Sequence, residues 1–435
     1  MPIPTRKAPC ELIGGQGLCA VFVGNIREMN WACLAVGVLA AVGALSALVP
    51  LRGAVGSALS FIPSWILGEA PLHLAALVVA AILTCGLSGG FSSSLGWAGA
   101  ALSVLGCSGL VAQFVSGVRS KRHFESALSE AGLPAPSWSW SARDTRRVVV
   151  AVPLRPRGVE RTRDVAYMAD AGRAHRLDIY RRFSTASTAF TAPVLLYFHG
   201  GAWVMGDKRE QGIPMLEYLA ERGYVCVTAN YALSPKARWP QHVLDCKQAL
   251  AWVKRNIAEY GGDPGLVFVS GCSAGGHLAA LVALTANEAE WQPGFEEEDT
   301  TVIGCIPLYG VYDFVDTDRI GNANLAPILE RHVFEQAAAE AFAKASPISR
   351  VHESAPPFFV VHGRNDVLVP VQAARAFVGS LRAASTQPVA YGELPLAQHG
   401  FDNFWSPRAV HFVHALERFT EAIVATRAAG REVGR

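Results

Sequence analysis

"VSGCSAGGHLAAL", residues 269–281, decides how this chain is read. An apolar run, Leu266 to Ser270 (LVFVS), gives way at a glycine-flanked serine to a stretch with helical patterning, AGGHLAALVAL. A serine at a sharp strand-to-helix turn is held out of its sheet, and its flanking positions must be glycine because a Cβ there would clash. Gly271-Cys272-Ser273-Ala274-Gly275 meets that requirement, so Ser273 reads as a nucleophile. The five letters alone are weak evidence; the strand before them and the helix after them make them strong.

A serine nucleophile needs donors for the oxyanion that forms when it attacks a carbonyl. Upstream, the strand VLLYF runs directly into His199-Gly200-Gly201-Ala202-Trp203. Glycines just past a strand end let backbone N–H groups face a ligand closely, so Gly200 and Gly201 are candidate donors, with the N–H of Ala274 as a third. His199 reads as a residue that shapes this loop rather than as a base. The glycine-flanked serine turn resembles that of the α/β-hydrolases, and the resemblance implies an acid and then a histidine further on in the chain. Strand FFVVHG ends at Arg364-Asn365-Asp366, and strand YGELPL is followed by Ala397-Gln398-His399. His399 is the expected base and Asp366 the acid that fixes its tautomer. The competing histidines are His362 at a strand end, His277 on the helix after the serine, and His411 and His414 on the last helix. Asp402 and Asp313 are the competing acids, and Asp263 in GGDPG reads as a turn residue.

Around these motifs short apolar runs alternate with helical patterns. Strands are expected at Val148–Val152, Arg176–Tyr180, Val194–Phe198, Tyr224–Ala229, Leu266–Ser270, Val302–Leu308, Pro357–His362 and Val389–Leu394. Helices are expected at Pro240–Tyr260, Ala274–Thr285, Val371–Ala383 and Arg408–Ala425. Strands apolar at nearly every position belong to a mostly parallel sheet covered by helices on both faces, the α/β class. An acidic loop (Asn287–Thr300) and a helical insert, about residues 313–357, interrupt the alternation. The insert is expected to cap the sheet, where ligands bind.

The first part of the chain implies a different solvent. No Asp, Glu, Lys or Arg occurs from Ala70 to Val118, whereas both signs are mixed after Arg119. Trp31–Val49 has about the 20 apolar residues that cross a bilayer as a helix, and the charge-free tract reads as two more crossings, Leu72–Leu87 and Leu95–Val118. Between them, Gly53–Gly68 with Pro63 reads as a fourth, shorter crossing or as a re-entrant or interfacial piece. The expected organisation is an N-terminal bundle of three or four transmembrane helices (1–120), a linker (121–146) and a catalytic domain (147–430). About 30 residues precede the first span, which argues against a cleaved leader, and Met29 is an alternative start. Arg119, Lys121 and Arg122 favour a cytoplasmic catalytic domain, while Arg6, Lys7 and Arg27 make the same claim for the other end. Four spans satisfy both clusters.

The 435 residues carry a net charge of +2, which gives no case for nucleic acid. The nine cysteines are odd in number and lack metal-type spacing, so a disulfide framework is not expected. No zinc, calcium or P-loop pattern occurs, and neither a metal nor a cofactor is implied.

HGGAW, GCSAGGHLA, HGRNDVLVP and QHGF together resemble the carboxylesterase and lipase branch of the α/β-hydrolases that carries an HGG oxyanion loop. The stretches NYALSPKARWPQHVLDCKQALAWVKRNIAEYGGDP and YGVYDF are similar to that branch as well. Spans ahead of the hydrolase resemble actinobacterial membrane-associated carboxylesterases and, more distantly, isoprenylcysteine methylesterases. The likeness covers about Arg147 to Thr426, and Cys272 departs from the Asp that relatives often carry. It implies a membrane-anchored serine ester hydrolase with a Ser273–His399–Asp366 triad and an apolar or lipid-like ester substrate. The alternatives are acyl transfer to an alcohol by the same triad, and a non-catalytic binding protein on a hydrolase fold.

Overall fold

Eight strands form one sheet in the order β1-β2-β4-β3-β5-β6-β7-β8. They are β1 (Val159–Ala166), β2 (Arg176–Arg182), β3 (Ala192–Phe198), β4 (Val225–Ala229), β5 (Gly262–Cys272), β6 (Gly304–Leu308), β7 (Phe358–Gly363) and β8 (Val389–Leu394). β2 runs antiparallel to β1 and β4, and every later pairing is parallel. The computed structural model describes residues 15–134, 137–154, 156, 158–169, 172–183, 192–315, 325–334 and 339–433.

The helices are α1 (Gly15–Leu48), α2 (Ala54–Glu69), α3 (Pro71–Cys85), α4 (Ser94–Glu130), α5 (Ala142–Val150), α6 (Ile213–Glu221), α7 (Gln241–Asn256) and α8 (Ala274–Leu284). After them come α9 (Ala339–Ala345), α10 (Val371–Ala384) and α11 (Pro407–Val433). Because side chains alternate across a strand, each central strand feeds two cores. Val194, Leu196 and Phe198 enter one, with Leu278, Leu281 and Phe377; Leu195 and Tyr197 enter the other, with Phe359, Phe412 and Phe419. Both faces are buried, which is why the central strands lack polar alternation.

The chain divides into two compact units, residues 1–45 with 71–112, and residues 46–70 with 113–435. In the first, α1 and the start of α4 pack backbone to backbone. A Cβ on Gly37 would lie 2.2 Å from the Gly99 carbonyl oxygen, so only glycine permits the approach. Asn30 donates to Ser92 Oγ (2.8 Å) and accepts from Ser93 Oγ (2.8 Å), fixing that packing with a polar clamp. Three helices, Arg27–Leu48, Pro71–Gly90 and Ser94–Glu130, are long and apolar enough to cross a membrane.

Three expectations change. Val148–Val152 is not a strand: Val148–Val150 end α5, which Ser141 and Asp144 start with reciprocal side-chain-to-backbone bonds. β1 and α6 lie where no element was expected. α4 does not stop at Val118 but continues to Glu130, so the expected linker begins as helix; Phe124 and Leu128 sink into the hydrolase core, Phe124 edge-on to Phe359. Of the expected cap, Ala326–Ile328, Leu329–Val333 and α9 are helical, and residues 316–324 and 335–338 lie outside the described residues.

Four buried histidines set an acid limit on this unit. Burial holds His199, His242 and His411 down to about 4 and His277 to about 3. Unfolded, each takes a proton near 6.5, so between about pH 6.5 and 4 the unfolded chain binds more protons and stability falls as pH falls. Carboxylates held below their usual range add nothing to this window, because their contribution persists down to about pH 4. The thermal midpoint of the full chain in detergent is therefore expected to drop by roughly 5 °C or more between pH 7.5 and 5. His277→Asn should flatten that slope; a midpoint independent of pH would contradict it.

Candidate active site

β5 delivers Ser273 into a conformation that L-residues rarely adopt, φ 54° and ψ −119°, before α8 begins at Ala274. The turn is this tight because backbone packs on backbone. A Cβ on Gly275 would lie 2.1 Å from the Phe198 carbonyl oxygen, and one on Gly271 2.3 Å from the Gly275 carbonyl oxygen. Ser273 N donates to Leu308 O (2.9 Å) and His277 N to Ser273 O (3.0 Å), so the strained residue is held from β6 and from α8. Cys272 and Ala274 are buried, while Ser273 retains partial exposure.

The HGG loop leaves the end of β3 and lies against this turn, since a Cβ on Gly200 would meet Cys272 O at 2.9 Å. Gly201 (φ 118°), Ala202 (φ 51°) and Trp203 (φ 62°) are all left-handed, which rolls the chain into a tight loop closed by Val204 N and Met205 N on Gly201 O, each at 3.1 Å. His199 stacks on Tyr231 (4.5 Å between centroids) and its Nδ1 bonds Gly200 O at 2.7 Å. Buried and held neutral, it shapes the loop as the sequence indicates.

Sequence reasoning missed Gln211. Its Oε1 accepts from Gly200 N (2.6 Å) and from Cys272 Sγ (2.9 Å), tying the HGG loop to the nucleophile turn. Burial pushes the Cys272 thiol up to about 12, so it stays protonated and able to donate. The N–H of Gly200 is thereby committed inside the protein.

Asp366 and His399 meet directly, His399 Nδ1 to Asp366 Oδ2 at 2.7 Å. The other carboxylate oxygen accepts from Leu368 N (2.9 Å) and Val369 N (2.8 Å). Burial alone would raise the Asp366 pKa, but the His399 imidazole and hydrogen bonds from His362 and His399 outweigh it and hold the carboxyl below the usual carboxylate range. Gln398 Oε1 accepts from both Val367 N (2.9 Å) and His399 N (3.0 Å), bolting the acid loop to the base loop. The His399 ring lies 4.5 Å from that of Tyr309, the residue after Leu308, and Tyr309 Oη donates to Asp402. Of the competing histidines, His362 also lies on the acid, its Nε2 bonding Val369 O (2.9 Å) and sitting 3.3 Å from Asp366 Oδ2, while His277 is engaged with Ala345 O (2.7 Å), His411 with Trp138 (3.1 Å) and His414 with Tyr218 (2.8 Å).

A mostly parallel eight-stranded sheet with a strained serine between β5 and α8 and a histidine–aspartate pair beyond β7 and β8 defines an α/β-hydrolase. The sequence model of the BD-FAE family matches residues 177–381. The chain is 50% identical over 274 residues to the probable carboxylic ester hydrolase LipM of Mycobacterium tuberculosis, covering 62% of this chain and 63% of LipM. It is 42% identical over 293 residues to esterase LipC of the same organism, covering 66% of this chain and 72% of LipC. The chain thus belongs to the carboxylesterase family of α/β-hydrolases, although it spans less than two thirds of LipM's length. Among solved structures, esterase B of Lactobacillus rhamnosis superposes with a TM-score of 0.56 at 20% identity, over 72% of this chain and 99% of that one, a likeness of fold.

Gln211→Leu removes the acceptor shared by Gly200 and Cys272 without adding charge. A loosened oxyanion loop is expected to lower kcat toward simple esters by about 10-fold to 100-fold with KM changed less than threefold. Steady-state kinetics check this, and an unchanged kcat would show that the loop holds its shape without Gln211.

Proposed function

We propose that this chain is a membrane-anchored serine carboxylesterase. The reading is supported by a strained, partly exposed serine at the β5–α8 turn and by a buried aspartate bonded to a histidine Nδ1 on the loops that follow β7 and β8. Ser273 Oγ attacks the ester carbonyl while His399 Nε2 takes its proton. Asp366, ionised and bonded to Nδ1, fixes the tautomer and stabilises the imidazolium that forms. The tetrahedral oxyanion is met by the backbone N–H groups of Gly201 and Ala274, and Gly200, held by Gln211, supports the loop that presents them. His399 then gives its proton to the leaving alcohol, an acyl-enzyme remains, and a water activated by His399 releases the acid. The three long apolar helices support anchoring in a bilayer, and the carboxylic ester hydrolases among its relatives support an ester as substrate.

Ser273→Ala should abolish both hydrolysis of p-nitrophenyl butyrate and labelling by a fluorophosphonate. Asp366→Asn should leave the fold intact and lower kcat by roughly 10³-fold to 10⁴-fold. Labelling that persists in Ser273→Ala would show that another residue is the nucleophile. Product analysis with an added alcohol separates hydrolysis from acyl transfer.

A further inference from the structure

The segment between the first two long apolar helices belongs, by its contacts, to the hydrolase unit. Its hydrogen bonds fall on the neighbours of the acid and the base. Asn365 Nδ2, next to Asp366, donates to Leu48 O at 3.0 Å and Ala47 O at 3.3 Å. Gln398, next to His399, donates to Ser64 Oγ (2.8 Å), and Trp65 Nε1 donates to Gly400 O (2.8 Å). Arg408 closes the far end on Gly68 O (3.1 Å) and Glu69 (2.6 Å). Phe61 sets its ring edge-on to that of His399, 6.3 Å between centroids.

These bonds fix how often the chain crosses a bilayer. If α2 were a crossing, Leu48 and Gly68 would lie on opposite sides of the membrane. Both are bonded to the same soluble fold, so both ends of α2 lie on one side. The crossings by α1, α3 and α4 then return the chain to that side at the start of the hydrolase, as the same bonds require. At 16 residues α2 is about 24 Å long, short of the roughly 30 Å hydrocarbon layer.

The polarity of α2 is inverted. Its buried positions are Ser57, Ser60, Ser64, Gly68 and Glu69, while Val55 (75%), Leu59 (67%), Ile62 (50%) and Ile66 (38%) are exposed. At about 100° per residue the four apolar side chains fall within roughly 60° of arc, and Ser57, Ser60 and Ser64 lie opposite them. Ala54, Ala58 and Pro63 extend the exposed face, and no charge occurs between Arg52 and Glu69. A helix facing water carries its polar residues outward; this one carries them inward, so its outer face fits hydrocarbon. Its ends join α1 and α3, two of the apolar helices, which gives the bilayer as the occupant of that face.

We propose that α2 lies along the bilayer surface with Val55, Leu59, Ile62 and Ile66 among the lipid chains, and that its other edge, at Phe61, is the wall along which membrane-dissolved apolar esters reach Ser273. This rests on the reading of a membrane-anchored esterase.

The full chain in phosphatidylcholine nanodiscs, with p-benzoylphenylalanine at position 59 or 62, tests it. Photolysis is expected to give lipid adducts at both positions and none at the exposed Arg255 of the hydrolase surface. The Leu59→Glu, Ile62→Glu double variant is expected to hydrolyse p-nitrophenyl acetate within twofold of wild type. Its rate on p-nitrophenyl palmitate dissolved in vesicles should fall by 10-fold or more. Adducts to a second copy of the chain, or none, in a protein that floats with vesicles would overturn the proposal alone; equal rates of variant and wild type on both esters would overturn the entry route. A chain that does not float overturns the anchoring reading and the proposal with it. Lipid adducts in a chain that hydrolyses no ester uphold the placement of α2 and remove the catalytic reading instead.

Discussion

The approach of the Gly271–Gly275 turn to the carbonyls of Phe198 and His199 is the constraint from which the rest of the site follows. Side-chain atoms at Gly275 would fall 2.1 Å from one oxygen and 2.5 Å from the next, so the β5–α8 turn and the end of β3 touch as bare backbone. That contact forces Ser273 into its strained conformation, and the bond from Ser273 N to Leu308 O holds it there from the other flank. A serine clamped between β3 and β6 has the loops that leave those strands as its neighbours. The HGG loop and Tyr309 abut it because the parallel sheet brings their strand ends together.

The loops at the ends of β7 and β8 are joined by backbone as well: a Cβ on Gly363 would lie 2.4 Å from the Ala397 carbonyl oxygen, which accepts from Asn365 N at 2.9 Å. Further support comes from Gln398 between them and from residues 46–70, more than 300 positions away in sequence. The buried Arg408–Glu69 pair sets the end of that support. Desolvating both charges is costly, and the carbonyl of Gly68 and the amide of Gln113 supply the extra bonds that offset it. Loss of either charge would leave its partner buried and uncompensated, at about 3–5 kcal/mol. Residues 46–70 and the loops that carry Asp366 and His399 therefore belong to one compact unit.

Much of this was legible in the sequence because the central strands, buried on both faces, are apolar without interruption. Seven of the strands read from the sequence coincide with β2 to β8 within a few residues. β1 escaped because VERTRDVA, at the sheet edge, pairs on one side and carries four charges in eight residues. Val148–Val150 looked like a strand because three β-branched residues end a helix whose start is set by a cap at Ser141. Ser273, Asp366 and His399 were visible as residues following strands. Gln211, Gln398 and Phe61 were not, since each acts through a partner chosen by the fold, and no local pattern records a bond across 61 or 334 positions. The Gly53–Gly68 stretch was ambiguous for a related reason. Composition reports how apolar a helix is, but whether its serines face protein or solvent depends on what packs against them.

A wall of the site that lies in a bilayer would change what selects the substrate. Each methylene moved from water into hydrocarbon gains about 0.8 kcal/mol, a factor of about four in local concentration. Ten methylenes would concentrate an ester at the membrane by roughly six orders of magnitude before any contact with the protein. A hydrolase reached along α2 would meet esters at their membrane concentration, so a preference for long acyl chains would need no deep pocket. Partition would supply the preference, and the protein's part would be limited to orienting the carbonyl between Ser273 and its oxyanion donors. Phe61, an apolar ring set beside the His399 imidazole, fits that division: it offers a hydrocarbon chain a surface and a carbonyl no hydrogen bond, leaving the polar contacts to the β3 loop and the nucleophile turn.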